Sequence, residues 1–140
     1  MAASLLEHYN IFCKDLPATV HFYEKYVGLR DGDRPPFEFP GAWLYAGEQA
    51  VVHIVSESGR KDHGSGAIDH IAFRCHGLKD TLDLLKKDGI AHELRQVPKR
   101  PLQQVFIRDP DGVMIEMNFW DEPVVAKPRR EGAMHASDAI

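Results

Sequence analysis

The chain has few cysteines and no long run of positive charge or of apolar residues. Its two cysteines, Cys13 and Cys75, are too few for a disulfide scaffold and favour a reducing compartment. A net charge of −4, with "KPRR" (127–130) as the one basic run, argues against nucleic-acid binding. No apolar run reaches membrane-spanning length, and "MAASLLEH" lacks the pattern of a secretory signal. We therefore expect a cytoplasmic protein without nucleic-acid or membrane partners.

Histidine, by contrast, is abundant, and the sequence repeats itself. There are eight histidines in 140 residues, and the second half resembles the first at an offset of about 62 residues. "LEHYNIFC" (6–13) aligns with "IDHIAFRC" (68–75), and "WLYAGEQAVVHI" (43–54) aligns with "VFIRDPDGVMIEM" (105–117). An internal repeat of this kind predicts the architecture as a whole.

Each half predicts one strand, one helix and then about three strands, which is an α+β pattern. The first half predicts strands over 6–12, 41–47 and 50–56, a helix over 15–29 and a loop over 30–40. The second predicts strands over 68–78, 90–97, 104–109 and 112–120 and a helix over 79–89. We expect one domain over 1–120, with modules at about 5–57 and 67–120, and a flexible tail or dimer arm over 121–140.

The repeat pairs His8 with His70 and His53 with Glu116. A single histidine in a strand is more often structural than functional. Here, however, strand alternation places all four side chains on faces that are otherwise mostly apolar, where imidazole and carboxylate need a partner. A divalent metal would be such a partner, and this donor set suits Zn, Ni, Fe, Mn or Co. The sequence therefore predicts a site in which these four residues bind a metal.

The residues that carry this pattern resemble those of the vicinal oxygen chelate superfamily. The matching stretches are "EHYNIFCKDLPATVHFYEKYVGL" (7–29), "VVHIV" (51–55), "IDHIAFRC" (68–75) and "FIRDPDGVMIEMN" (106–118). The superfamily includes glyoxalase I, fosfomycin-resistance proteins, extradiol dioxygenases and bleomycin-resistance proteins. The resemblance implies two βαβββ modules that form a cupped, incomplete barrel around a metal, and it puts His8, His53, His70 and Glu116 at the ligand positions.

The resemblance implies a glyoxalase-like lyase or isomerase that acts on a small oxygen-bearing substrate. Glu116 or His53 would move the proton. Two departures from glyoxalase I argue against its substrate: His53 stands where a glutamate is usual, and Phe12 stands where an arginine contacts glutathione. An Fe(II) extradiol dioxygenase that uses His8, His70 and Glu116 is an alternative. A non-catalytic binder of a toxic compound or antibiotic is another.

Four further residues are candidates for contact with the substrate. Arg74 continues the alternation of His70 and could anchor a carboxylate or phosphate, although pairing with a surface acid would equally account for it. Asn10 and Asn118 could donate hydrogen bonds to the substrate or to metal ligands, and Trp43 could line an apolar wall. Relatives commonly form homodimers, so the resemblance also implies a homodimer, with the ligands of one site drawn from one chain or from two.

Overall fold

The computed structural model of the 140-residue chain describes residues 1, 3–57, 66, 68 and 70–125, together with the backbone of 129–131. The chain forms two compact units, Met1–Asp62 and His63–Ile140. The boundary between the units falls where the sequence repeat begins again. The repeat in the sequence is therefore a repeat of structural units.

The first unit is a four-stranded mixed sheet with one helix. Its elements are β1 (Tyr9–Cys13), α1 (Leu16–Phe22), β2 (Arg30–Gly32), β3 (Gly41–Ala46) and β4 (Gln49–Ser56). The strand order is β1-β4-β3-β2, in which β1 and β4 run parallel and the other neighbours are antiparallel. The predicted loop over 30–40 therefore begins with a short strand, which its polar composition conceals.

Local chemistry accounts for the bounds of the helix. The Asp15 carboxylate accepts a hydrogen bond from the Ala18 backbone N–H at 3.1 Å, which caps α1, and Pro17 lies in the first turn. The chain then continues as a π-helix over Tyr23–Val27 and ends at Gly28, whose φ of +83° favours glycine. The predicted helix over 15–29 is confirmed in extent, although its last turn is wider than an α-helix.

The second unit repeats this order and adds one strand. Its elements are β5 (Ile71–Cys75), α2 (Leu78–Lys87), β6 (His92–Gln96), β7 (Leu102–Arg108), β8 (Met114–Trp120) and β9 (Arg129–Glu131). The strand order is β5-β8-β7-β6-β9, with β5 and β8 parallel. Strand β9 lies within the predicted tail and pairs antiparallel with β6. Residues 126–128 and 132–140 of that tail lie outside the described residues.

Helix α2 buries an apolar stripe of leucines. Leu78, Leu82 and Leu85 are buried, with at most 5% of each residue exposed. Glu122, just after β8, caps this helix: its carboxylate oxygens accept hydrogen bonds from the backbone N–H groups of Gly77 and Leu78 at 3.0 and 2.8 Å. The start of α2 is thus held by a residue more than 40 positions away in the sequence.

Both units follow the βαβββ order, and the predicted α+β class is confirmed. Each unit has its own apolar core, which includes Ile11, Leu44, Val52 and Ile54 in the first and Leu94, Val105, Ile107, Ile115 and Phe119 in the second. Among the described residues, no helix combines the length and the apolar character needed to cross a membrane.

Candidate metal site and its surroundings

In the first unit, the central strand β4 places His53 in the middle of a row of three side chains. The register puts Asn10 of β1 on one side of His53 and Trp43 of β3 on the other. His8 lies one residue before β1, not in mid-strand as the sequence predicted, and its side chain is 36% exposed. The Gln49 side-chain amide donates to the Glu7 carbonyl and so ties the segment that carries His8 to the start of β4.

The rings of His8, His53 and Trp43 form a parallel stack. The His53 ring lies between the other two, with centroids 3.7 and 4.0 Å away and interplanar angles of 11° and 10°. The His8 Nδ1 lies 3.0 Å from the Glu7 carboxylate. Burial, followed by the neighbouring His8, lowers the pKa of His53 below 6.5. His53 is therefore held as a neutral imidazole at neutral pH.

This stacking has a consequence for metal binding. The lone pair of an imidazole nitrogen lies in the ring plane, so two rings only 11° from parallel do not aim their lone pairs at one ion. One of the two rings must turn before both can bind the same metal. The half-exposed His8, in the segment before β1, is the ring with room to turn.

In the second unit, the side chains of the equivalent residues lie close together. His70 lies one residue before β5, although the sequence predicted it within a strand over 68–78, and Glu116 lies on the inner strand β8. The His70 Nε2 is 3.5 Å from Glu116 Oε1, which is longer than an ordinary hydrogen bond. The Glu116 side chain is only 12% exposed, whereas that of His70 is 35% exposed. A carboxylate in such a place needs partners.

Glu116 finds one of these partners on its own strand. Asn118 donates from Nδ2 to Glu116 Oε2 at 2.8 Å, and Gln104 of β7 donates from Nε2 to Asn118 Oδ1 at 3.1 Å. Asn118, predicted as a contact for substrate or for a metal ligand, therefore contacts the candidate ligand in this structure. Asn10, its counterpart in that prediction, is exposed on β1.

Arg74 of β5 lies in register with Asn118 of β8, as the alternation from His70 leads one to expect. Arg74 is exposed, and its guanidinium carbon is 5.5 Å from the centre of the Trp120 ring. This is a cation–π contact, so the aromatic ring holds the guanidinium without neutralising it. The charge of Arg74 remains able to attract an anionic group.

The donor atoms of the second unit suit a divalent metal. Two ligand atoms bound tetrahedrally to one ion at about 2.1 Å lie roughly 3.4 Å apart. The 3.5 Å between His70 Nε2 and Glu116 Oε1 matches that separation. Within the part of the chain that the structure describes, His, Cys, Asp and Glu side chains form no cluster of three or more that could hold a metal. The predicted ligands therefore occur as two pairs, His8 with His53 and His70 with Glu116.

Two further features lie near these pairs. The Phe37 and Phe39 rings stack at 5.1 Å, and the Phe37 ring lies 6.4 Å from that of Trp43 at a tilt of 51°, so the two rings enlarge the aromatic cluster of the first unit. Gln104 orients Asn118 in the second unit. The alternation along β7 could have indicated that Gln104 shares a face with Phe106. Only the register with β8 shows that it meets Asn118.

The family comparison agrees with this architecture. A model of the family described as "Glyoxalase/Bleomycin resistance protein/Dioxygenase superfamily" matches residues 5–117. "Glyoxylase I 4" from Arabidopsis thaliana is 30% identical, over 86% of this chain and 74% of the relative. A "Probable lactoylglutathione lyase" from Vibrio parahaemolyticus is 27% identical, over 84% of this chain and 91% of the relative.

Solved structures share the fold. A glyoxylase/bleomycin resistance protein/dioxygenase domain from Frankia sp. EAN1pec matches with a TM-score of 0.69 and 17% identity, over 88% of this chain and 96% of that one. A lactoylglutathione lyase from Agrobacterium tumefaciens matches with a TM-score of 0.62 and 22% identity, over 84% of this chain and 95% of that one. At these identities the likeness concerns the fold alone.

Proposed function

The chain belongs to the glyoxalase/bleomycin resistance/dioxygenase superfamily, and from this membership we propose that it is a metal-dependent, glyoxalase-like lyase or isomerase. Its substrate is a small molecule that presents one or two oxygens to the metal. It acts in the cytoplasm as a homodimer. The names of the similar proteins from Arabidopsis and Vibrio support the lyase reading.

The observation that carries the proposal is the position of Glu116. Its carboxylate is nearly buried, one oxygen accepts a hydrogen bond from Asn118, and the other faces His70 at 3.5 Å. Burying a carboxylate is unfavourable unless it is paired or binds a metal. A structural role alone would be served as well by an apolar residue, as at Phe106, the register neighbour of Glu116 on β7, which is 1% exposed.

In this proposal His8, His53, His70 and Glu116 would hold the metal. A divalent cation bound there would supply a Lewis acid for the substrate oxygens. Glu116 moves the proton, because its nearly buried carboxylate is the one acidic group among these four residues. His53 is the alternative base, since its lowered pKa keeps it neutral and able to accept a proton near pH 7.

The remaining predicted residues bind the substrate. Trp43 presents an aromatic face beside His53 and takes the apolar part of the substrate. Arg74 attracts a carboxylate or phosphate group, since the Trp120 ring leaves its charge in place. Asn10, in register with His53, donates a hydrogen bond to a substrate oxygen.

Metal content is the decisive test. Elemental analysis of the purified protein should find one transition metal per chain, and His70→Ala should lose it. The matched control is His21→Ala, because His21 is an exposed histidine of α1 outside both pairs. The proposal fails if no transition metal binds under any reconstitution. Metal lost equally from both variants would also contradict it.

The reaction is tested on the metal-loaded protein. Thiol adducts of 2-oxoaldehydes are the first substrates to try, and Glu116→Gln should reduce turnover at least about 1,000-fold if the carboxylate is the base. Full turnover by Glu116→Gln would shift that role to His53. Iron-dependent oxygen consumption with catechols would instead support the dioxygenase alternative. Ligand binding that persists in metal-free protein and in His8→Ala would support a non-catalytic binder.

Subunit mixing tests which chain supplies each pair. His53→Ala damages one pair and His70→Ala damages the other. If the metal is bound by pairs from different chains of a homodimer, a mixed dimer of the two variants has one intact site. Activity should then return on mixing to about a quarter of the unsubstituted level. If both pairs come from one chain, mixing restores nothing.

A further inference from the structure

Three side chains of the second unit form a hydrogen-bonded series that ends on Glu116. Strands β7 and β8 are antiparallel, and their register places Gln104 opposite Asn118. Asn118 is two residues after Glu116 on β8, so the two side chains lie on the same face. Gln104 donates to Asn118 at 3.1 Å and Asn118 donates to Glu116 at 2.8 Å.

Chemistry fixes the direction of this series. An ionised carboxylate only accepts hydrogen bonds, so Asn118 must turn its NH₂ group towards Glu116. The carbonyl oxygen of Asn118 then points the other way and needs a donor. Gln104 supplies one by presenting its own NH₂ group. The negative charge of Glu116 therefore sets the orientation of both the Asn118 and the Gln104 amide.

The turn before β8 holds the register on which the series depends. The Asp109 carboxylate accepts hydrogen bonds from the backbone N–H groups of Asp111 and Val113 at 2.9 and 2.8 Å. Gly112 takes a φ of +90° there, which favours glycine. A slip of one residue at this turn would move Gln104 to the opposite face.

The first unit has no such series at the equivalent positions. His53 corresponds to Glu116 and Val55 to Asn118, and the residue opposite Val55 in the register, where Gln104 stands opposite Asn118, is Gly41. A side chain at Gly41 would collide with the Ile54 carbonyl oxygen. The amide pair therefore occurs beside the carboxylate and is replaced by apolar residues beside the imidazole.

We propose that Gln104 and Asn118 are positioning residues that fix the Glu116 carboxylate for metal binding. This inference rests on the proposed function. Asn118 occupies Oε2, so Oε1, which faces His70, is the oxygen offered to the metal. Gln104 acts only through Asn118, by preventing its amide from turning over. Outer partners that orient a ligand in this way commonly change metal affinity about 10–100-fold.

The experiment compares metal affinity with fold stability. The variants are Asn118→Leu, Gln104→Met and the double variant, and the matched control is Gln103→Met. Gln103 is a buried neighbour on β7 whose amide donates instead to the backbone carbonyls of Glu122 and Pro123 at 3.1 and 3.2 Å. Zinc dissociation constants are measured by competition with a chromogenic chelator, and the thermal midpoint of each metal-free variant is recorded.

We expect Asn118→Leu to weaken zinc binding about 10–100-fold and Gln104→Met to weaken it by a smaller factor, about 3–10-fold. The double variant should bind zinc no worse than Asn118→Leu, because Gln104 has no effect once Asn118 is gone. Gln103→Met should lower the thermal midpoint and leave zinc affinity unchanged. Cobalt-substituted Asn118→Leu should show an altered visible spectrum, since the freed Oε2 changes the coordination of the ion.

Other outcomes overturn the inference. If Gln104→Met and Asn118→Leu bind zinc as the unsubstituted protein does, the series serves only the fold. If the two single effects add up fully in the double variant, Gln104 does not act through Asn118. Zinc binding by the unsubstituted protein separates this inference from the proposed function. If the unsubstituted protein binds no metal, both the proposed function and this inference are wrong. If it binds zinc and every variant binds zinc equally well, only this inference is wrong.

Discussion

The two units have the same order of elements but hold their candidate ligands by different forces. In the first unit, His53 is held by the faces of two rings, 3.7 and 4.0 Å away, and by a hydrogen bond with the Ala50 backbone. In the second, Glu116 is held at its oxygens, by one hydrogen bond from Asn118 and one contact with His70. Stacking sets the plane of a ring, whereas contacts at both oxygens set the direction of a carboxylate. The same order of elements therefore holds an imidazole mainly by its faces and a carboxylate by its edges.

The largest expected difference between the halves is in metal affinity. Glu116→Gln removes the one negative charge among the four predicted ligands and should weaken zinc binding at least about 100-fold. His53→Gln replaces one neutral donor by another and should weaken it about 10-fold, since the charge of the set is kept. Chelator competition measures both. Equal losses in the two variants would show that the halves contribute alike.

The helix caps form a second contrast. Glu122 caps α2 with two charge-assisted hydrogen bonds, whereas Asp15 caps α1 with one bond to a residue three positions away. Glu122→Ala should lower the free energy of unfolding by about 2 kcal/mol and Asp15→Ala by about 1 kcal/mol. Urea unfolding of the metal-free variants measures both values. A loss for Asp15→Ala as large as that for Glu122→Ala would contradict the contrast.

Acid should destabilise the protein through His53, the middle ring of the stack in the first unit. The pKa of His53 is lowered by burial and by His8, so the folded state binds this proton less readily than the unfolded state, where the pKa is about 6.5. The stability of the metal-free protein should be complete above that value and should fall as the pH decreases through 6.5 towards the folded-state pKa. Chemical unfolding from pH 8 to pH 5 measures the effect.

His53→Gln is the matched control for this pH effect. Glutamine does not titrate, so the slope of stability against pH should become shallower between pH 6.5 and pH 5. An unchanged slope would mean that other groups cause the acid sensitivity.

The smallest contrast concerns the two cysteines, which occupy equivalent positions of the repeat. Burial raises the pKa of the Cys75 thiol to about 11, and Cys13 is fully buried. Alkylation of native protein at pH 8 should be slow at both. Because the thiolate reacts, the Cys75 rate should rise about tenfold per pH unit up to pH 11, while Cys13 should react only on unfolding. Peptide mass spectrometry reads both rates, and rapid labelling of Cys75 at pH 8 would contradict the raised pKa.

The repeat made most of the element order predictable, because equivalent segments with the same apolar spacing fold in the same way. Short strands without such spacing were not predictable. Strand β2 is hidden by the polar residues Arg30 and Asp31, and β9 lies in a segment without periodicity. Their strand structure comes from pairing with β3 and β6, which a single segment cannot reveal.

The candidate ligands were identifiable from the repeat, which aligns His8 with His70 and His53 with Glu116, and from strand alternation, which gives each side chain a face. Their contacts were not. That His53 stacks on Trp43 depends on the register of β3 with β4, and that Gln104 meets Asn118 depends on the register of β7 with β8. The register of two strands depends on turns and on the whole sheet, so the residue pattern of one strand does not predict it.

The parallel pairing in each unit also governs when the unit can form during synthesis. The first strand of each unit pairs with β4 or β8, and β4 is the last strand of its unit. The pairing of β1 with β4 can be completed once Ser56 has left the ribosome, and the pairing of β5 with β8 only once β8 has followed. The start of α2 likewise gains its cap only when Glu122 emerges. At the stage when the first sheet is complete and the second is not, the unpaired strand edges of the second unit are exposed to aggregation.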